Sequence, residues 1–163
     1  MKAHFFSRIS LITFLSLIFI SGCSSIVPAI KVQEVKVPEK TISIEIVADE
    51  EVNPDLSGRP SPTVVRIYQL LNDDKFKDGD FFALYDSDKA VLSSDLISSE
   101  EILIKPGKRY NNTFSLHADT KFIGLLAAFQ NTDNGGFKES VEVTPVYDRI
   151  GFVLKGNKVT LSE

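Results

Sequence analysis

From residue 40 onward, apolar and polar residues alternate with a period of two in several short segments, a pattern typical of half-buried β-strands. In segment 41–48, Ile42, Ile44 and Ile46 alternate with other residues, and segment 121–129 is nearly all apolar, as expected of a central strand buried on both faces. The predicted strands are 41–48, Thr63–Leu70, Glu101–Lys105, Arg109–Leu116, Lys121–Phe129, Lys138–Val143, Ile150–Lys155 and Lys158–Leu161. Eight short strands separated by turn signals predict an all-β fold, a two-sheet β-sandwich over residues 41–163.

Residues 72–100 depart from the strand pattern and predict a small helical insertion. Asp80 is placed to cap a short helix that begins near Phe81, and Asp88 is placed to cap a second one. We expect this insertion to cover one edge of the sandwich. Its aromatic side chains are expected to pack against the sheet rather than to contact a ligand.

The first 22 residues have the organisation of a secretory signal peptide. Lys2 and Arg8 form a positive segment that precedes an apolar run over 9–20. The run is too short to span a bilayer, which needs about 20 apolar residues. It ends in Ile20-Ser21-Gly22-Cys23, which resembles the lipobox of bacterial lipoproteins. We therefore predict a lipoprotein signal peptide over 1–22 and a diacylglycerol on the Cys23 thiolate. The alternative is an ordinary signal peptide followed by a chance cysteine.

Residues 23–40 are predicted to be the lipidated Cys23 and a tether, because Pro28 and Pro38 interrupt regular pairing. A flexible coil over 24–40 averages about 23 Å from end to end. Several acyl chains on one cysteine would anchor stably, since each buried methylene contributes about 0.8 kcal/mol. Ser24, rather than Asp, follows the cysteine, and in the lipoprotein class this implies sorting to the outer membrane.

Composition and charge narrow the possible functions. The net charge is −4 and no Lys/Arg cluster is present, which argues against a nucleic-acid partner. The single cysteine excludes an intrachain disulfide and a cysteine-rich zinc site. His117 is the one histidine after the signal peptide, and no Gly-x-Ser-x-Gly elbow accompanies it. We predict no catalysis, no cofactor and no metal site.

The segment Asp49–Pro62 is the most unusual feature of the domain. It connects the first two predicted strands with fourteen residues, whereas hairpin loops usually have about two to five. Pro54, Pro60 and Pro62 stiffen it, and Gly58 allows it to turn. A stiff polar loop loses less entropy on docking than a flexible one, so we interpret this segment as a recognition loop. The alternative is a long crossover between two sheets that has no partner.

Three segments, taken in order, carry a resemblance to a known family. They are Asn53-Pro54-Asp55-x-x-Gly58-Arg59-Pro60-x-Pro62 with Val64–Leu70 after it, then Phe76 with Asp80-Phe81-Phe82-x-Leu84, then Phe122–Phe129. Together with the lipobox, this order resembles the TssJ (SciN/VasD) family of type VI secretion lipoproteins. The family often has Trp where this chain has Phe137, and Phe still supplies an aromatic ring at that position.

The resemblance implies a transthyretin-like β-sandwich with added helices and a lipid anchor in the outer membrane, facing the periplasm. It also implies binding to the periplasmic C-terminal domain of TssM, a large IcmF-like inner-membrane protein, through the loop between the first two strands. The partner-binding residues expected here are Asp49, Glu50, Glu51, Val52, Asn53, Pro54, Asp55, Leu56, Ser57, Gly58 and Arg59. Of these, we expect Glu50, Glu51 and Val52 at the tip, and a structural role for Asn53–Asp55.

A second function stays open on the sequence alone: a periplasm-facing lipoprotein that binds a small ligand or a cell-wall fragment. A sandwich fold hosts many functions and does not exclude it. The pocket wall that the sequence offers for such a ligand is formed by Phe81, Phe82 and Tyr85.

Overall fold

The computed structural model describes residues 40–133, 135–144 and 148–162. The predicted signal peptide (1–22), Cys23 and the tether up to residue 39 lie outside the described residues. The elements of the described part are β1 (Thr41–Ala48), β2 (Thr63–Leu70), α1 (Asp74–Asp78), α2 (Phe81–Leu92), a 3-10 turn (Ser93–Asp95), β3 (Leu96–Ile104), β4 (Arg109–Ser115), β5 (Phe122–Ala128), β6 (Lys138–Glu142), β7 (Arg149–Lys155) and β8 (Lys158–Leu161).

The described strands form two four-stranded sheets, with the orders β4-β1-β7-β8 and β3-β2-β5-β6. Neighbouring strands are antiparallel except for the pair β1 and β7, which is parallel. The prediction of an all-β, two-sheet sandwich of eight strands with a small helical insertion is confirmed.

The hydrophobic core lies between the two sheets. On β1, Ile42, Ile44 and Ile46 are buried, which confirms the inward face that the alternation predicts. Ile44 and Ile67 line the same gap between the sheets, so the odd-numbered residues of β2 also face inward. Strand β5 is interior to its sheet and buried from Ile123 to Ala127, as predicted for a central strand.

The helices lie on the outer face of the second sheet, and not at its edge as the sequence predicted. The ring of Phe76 in α1 packs 5.3 Å from the ring of Tyr68, which points away from the core. The same ring covers Gly124 on β5, where a Cβ atom would lie 3.1 Å from it. The prediction was wrong because most outward side chains of β2 and β5 are apolar or absent and need a cover. The charged residue among them, Arg66, pairs with Asp88 of α2 at 3.2 Å.

One predicted strand boundary is displaced by several residues, whereas the other strand ends agree to within one residue. Strand β3 begins at Leu96, so residues 96–100, assigned by sequence to the helical insertion, belong to the sheet. Helix α2 is interrupted at Ser87, whose φ of −141° and ψ of 35° are not helical, so a second helical segment follows as predicted, but the break lies at Ser87 rather than at Asp88. The predicted cap at Asp80 is confirmed, since its carboxylate accepts a 2.9 Å hydrogen bond from the N–H of Ala83.

The connections β1–β2, β3–β4, β5–β6 and β7–β8 all lie at one end of the sandwich. The register places Thr63 opposite Ile104, Ala48 opposite Leu154, and Val64 opposite Ala128. We call this the loop end. The chain enters β1 at the other end, where the carbonyl of Lys40 accepts a 2.7 Å hydrogen bond from the N–H of Leu116.

Candidate partner-binding loop

The β1–β2 loop consists of a stem that is bonded to neighbouring connections and an exposed tip. The stem, Asp49–Asn53, is joined by backbone hydrogen bonds to two other connections at the loop end. The N–H of Asp49 donates to the carbonyl of Leu154 at 2.8 Å, and the N–H of Gly107 donates to the carbonyl of Asp49 at 3.2 Å. Val52 has no exposed surface and belongs to the hydrophobic core.

Asn53 locks the stem in place. Its backbone has a left-handed conformation (φ 52°), which Asn tolerates better than most residues. Its side-chain Nδ2 donates to the carbonyl of Pro62 at 3.0 Å, and its Oδ1 accepts from the N–H of Gln130 at 2.7 Å. Its own N–H donates to the carbonyl of Gly156 at 2.7 Å. One residue therefore joins the two ends of the loop to the β5–β6 and β7–β8 connections.

The tip, Asp55–Arg59, closes on itself. The Asp55 carboxylate accepts hydrogen bonds from the N–H of Ser57 at 2.7 Å and from the N–H of Arg59 at 3.0 Å. The Arg59 guanidinium also reaches it, at 2.9 Å from Nε and 2.8 Å from Nη2. These bonds, first of all that from the Arg59 N–H, lower the pKa of Asp55 below its ordinary value. Gly58 supplies the positive φ (78°) that this turn requires.

The tip presents an apolar side chain to solvent. Leu56 is fully exposed, at the outermost part of the turn that Asp55 holds closed. Glu50 and Glu51 are also exposed, but they belong to the stem. Glu50 lies beside the β3–β4 turn, with its Cγ 3.3 Å from where a Cβ on Gly107 would be. The Glu51 N–H donates to the Asp49 carboxylate at 2.9 Å.

The structure brings the expected loop residues together but corrects the position of the tip. Val52 and Asn53 are buried, so they cannot contact a partner while the stem is folded. Val52 is the one apolar residue among acids in the stem, and burial of its side chain is the favourable outcome. The structural role expected of Asn53 and Asp55 agrees with the hydrogen bonds that they make. Leu56 is the feature that the sequence reasoning did not single out.

The aromatic residues that the alternative function would use as a pocket wall pack against one another. Phe81 stacks on Tyr85, with ring centroids 5.3 Å apart, and meets Phe137 edge-on at 5.4 Å. A cleft of about 190 Å³ lies elsewhere, between the sheets, where Ile67 and Phe114 contribute to its lining. The described part of the chain contains no group of three or more His, Cys, Asp and Glu side chains that could hold a metal ion.

A family model for type VI secretion lipoproteins, described as VasD, EvfM and TssJ, matches residues 40–160, which is most of the chain. The chain belongs to this lipoprotein family. It is therefore a component of the type VI secretion membrane apparatus, in a family of structural lipoproteins rather than a known family of enzymes.

A search of curated protein sequences finds no match. Within the described residues, no helix is long and apolar enough to cross a membrane.

Solved structures support the assignment to the TssJ family. The lipoprotein TssJ1 from Pseudomonas aeruginosa is 25% identical with a TM-score of 0.72, over 77% of this chain and 96% of that chain. A chain of a type VI membrane complex is 28% identical with a TM-score of 0.71, over 77% and 99%. A chain of a structure described as the TssM C-terminal domain (869–1107) from EAEC is 27% identical with a TM-score of 0.64, over 74% and 99%.

Phe137, the aromatic residue after the Asn/Gly turn, has a packing role in this fold. The Phe137 ring is buried and packs against Phe81 at the start of α2. The Phe137 ring therefore fills the contact between the helical insertion and the β5–β6 connection.

Proposed function

We propose that this TssJ-family protein is held in the outer membrane by acylated Cys23, faces the periplasm, and binds the periplasmic C-terminal domain of a TssM-type inner-membrane protein with its β1–β2 loop. The observation that carries the proposal is the construction of the loop. Its stem is fixed by Asn53 to neighbouring connections, and its tip is closed by Asp55 before any partner arrives.

A loop fixed in this way binds at lower entropic cost. A free loop loses backbone and side-chain freedom when it docks, and that loss subtracts from the binding free energy. In this chain the ordering is already done by the folded domain, because Asn53 and Asp55 make their hydrogen bonds within the chain. The exposed surface of the tip is then available for contact with a partner.

The structural neighbours support TssM as that partner. One neighbour is a chain of a type VI membrane complex, and another is a chain of a structure named for the TssM C-terminal domain. The matched part of this chain is 74% of 163 residues and fills 99% of the latter chain. That chain is therefore about half as long as the TssM fragment 869–1107. The matched chain is thus too short to be the whole TssM fragment. The structure named for that fragment therefore contains a chain with the size and fold of this protein.

The anchor side, where the chain enters β1, and the loop lie at opposite ends of the domain, which fits a bridging role. The chain enters β1 at Thr41, which is paired with Ser115 at the end opposite the loop. Strand β1 has eight residues and spans about 26 Å. An anchor upstream of Thr41 and a partner at the β1–β2 loop would therefore hold opposite ends of the sandwich.

The alternative of a small-ligand or cell-wall-fragment site has less support. The cleft between the sheets has a volume of about 190 Å³, below the roughly 300–1,000 Å³ of typical ligand pockets. A larger depression of about 400 Å³ has a mostly polar lining that includes Lys89, Ser93 and Ser98, whereas ligand pockets are mostly apolar. The rings of Phe81 and Tyr85, which the sequence offered as a pocket wall, stack on each other.

The proposal is tested by measuring the binding of soluble residues 24–163 to the periplasmic domain of the TssM encoded in the same genome. We expect the domain to fold by itself, since the matching part of this chain covers 96% of the solved TssJ1 chain. In one variant, Asp55–Arg59 is replaced by a Gly/Ser segment of equal length, which leaves the stem intact. In the control variant, the exposed segment His117–Asp119 at the opposite end is replaced by Gly-Ser-Gly.

We expect the native domain and the control variant to bind, and the tip variant to bind much more weakly. Failure of the native domain to bind would contradict the assignment of TssM as the partner. Full binding by the tip variant would keep TssM but place the contact on another surface.

The anchor is tested separately with Cys23→Ser in the native cell. We expect the wild-type protein in the outer-membrane fraction and the variant, whose position 23 cannot be acylated, outside it. A variant that stays with the outer membrane would show that Cys23 does not provide the anchor.

A further inference from the structure

Leu56 stands out among the apolar side chains of the described residues. It is fully exposed, whereas the next most exposed large apolar residues, Phe82 and Leu103, are 68% and 62% exposed. Single exposed apolar residues are common on protein surfaces and by themselves carry no meaning. Leu56 differs because the structure holds it outward, at the apex of a closed turn.

The Asp55 and Arg59 side chains and four backbone N–H groups around Leu56 are already hydrogen-bonded within the tip. The Asp55 carboxylate accepts from the N–H groups of Ser57 and Arg59 and pairs with the Arg59 guanidinium. The Asp55 N–H donates to the carbonyl of Arg59, and the Gly58 N–H donates to the carbonyl of Asp55. The largest contribution that the tip can still make to the free energy of binding is therefore the burial of the Leu56 side chain.

We propose that Leu56 is the anchor of the β1–β2 loop, inserting into an apolar pocket on the partner protein, and that Asp55 is the positioning residue that presents it. This inference rests on the proposed function and names the chemistry of its contact. A rigid apolar side chain that fills a pocket is a typical centre of a protein–protein interface, surrounded by polar contacts of small effect. The exposed acids of the stem, Glu50 and Glu51, then belong to the rim.

The inference is tested in the same binding assay with Leu56→Ala and Leu56→Asp. Leu56 makes no packing contacts in the folded domain, so neither change should alter thermal unfolding. We expect about 10- to 100-fold weaker binding for Leu56→Ala and a still larger loss for Leu56→Asp. The matched control is Glu50→Gln with Glu51→Gln, which should remain within about threefold of native binding because rim charges contribute little at moderate salt.

The outcomes separate this inference from the proposed function. Binding by the native domain that is unchanged in both Leu56 variants would overturn the anchor role while TssM stays the partner. A large loss in the Glu50/Glu51 variant with none at Leu56 would place the contact on the stem. No binding by the native domain would remove the proposed function itself.

The positioning role of Asp55 has its own readout in a double-mutant cycle. Asp55→Ala should weaken binding in the native background and have little further effect in the Leu56→Ala background, because Asp55 acts through Leu56. Asp55→Asn should restore part of the loss, since its side-chain oxygen can still accept from the N–H groups of Ser57 and Arg59. Equal losses from Asp55→Ala in both backgrounds would overturn the positioning role.

Discussion

Asn53 is the residue on which the loop stem depends, so Asn53→Ala should destabilise the domain strongly for a loop substitution. It removes the hydrogen bonds to Pro62 and Gln130, each contributing about 1 kcal/mol. It also places alanine at φ 52°, which costs roughly 1–2 kcal/mol more. The free energy of unfolding should therefore fall by about 3 kcal/mol. For a domain of this size, that loss lowers the melting temperature by about 12 °C.

The assay is urea and thermal unfolding of residues 24–163, followed by circular dichroism. Two matched variants separate the causes. Asn53→Gly loses the same hydrogen bonds but accepts the positive φ, so it should be more stable than Asn53→Ala. Asn53→Asp keeps an acceptor for the Gln130 N–H but replaces the donor to Pro62 with a buried carboxylate oxygen that faces the Pro62 carbonyl, so it should also be less stable than the native domain. The reasoning is refuted if Asn53→Ala unfolds within about 0.5 kcal/mol of the native domain, or if the glycine variant is the least stable.

Three further predictions concern other parts of the fold. Gly124→Ala should lower the unfolding free energy by about 1–3 kcal/mol in urea, because the new Cβ would meet the Phe76 ring, and adding Phe76→Leu should recover part of the loss. Asp80→Ala should cost about 1 kcal/mol and speed amide exchange in the first turn of α2. NMR titration of the Asp55 carboxyl should give a pKa below 3.8. The tip should be fully formed above pH 3.8 and should open as the pH falls through the lowered pKa. A midpoint at or above 3.8 would contradict the role of the Asp55 hydrogen bonds in closing the tip.

The interior strands could be predicted from sequence because burial on one face imposes alternation. Strands β1 and β2 have their inward residues between the sheets, and both segments match their predicted ranges. The start of β3 could not be predicted in this way. It is an edge strand, and Ser98, Ser99 and Glu100 are all exposed, so neither of its faces imposes an apolar pattern there.

The loop was predictable as a stiff segment, but not the division into stem and tip. Prolines and Gly58 mark stiffness and turning locally, and the bond between Asp55 and Arg59 is a contact four residues apart. The partners that fix Asn53, by contrast, lie far away in sequence, at Gln130 and Gly156. Val52 is buried and Leu56 is exposed because four connections meet at one end of the sandwich. This tertiary arrangement cannot be read from the loop sequence alone.

The order of anchor, strand and loop along the chain has a mechanical consequence under the proposed function. A pull between an acylated Cys23 and a partner at the β1–β2 loop would run along the covalent backbone of β1, from Thr41 to Ala48. That strand is interior to its sheet, between β4 and β7, and its register with both neighbours covers nearly its full length. The load would therefore not have to cross the hydrogen bonds between strands. The rest of the sandwich would serve to hold the stem, and through it the direction in which Leu56 points.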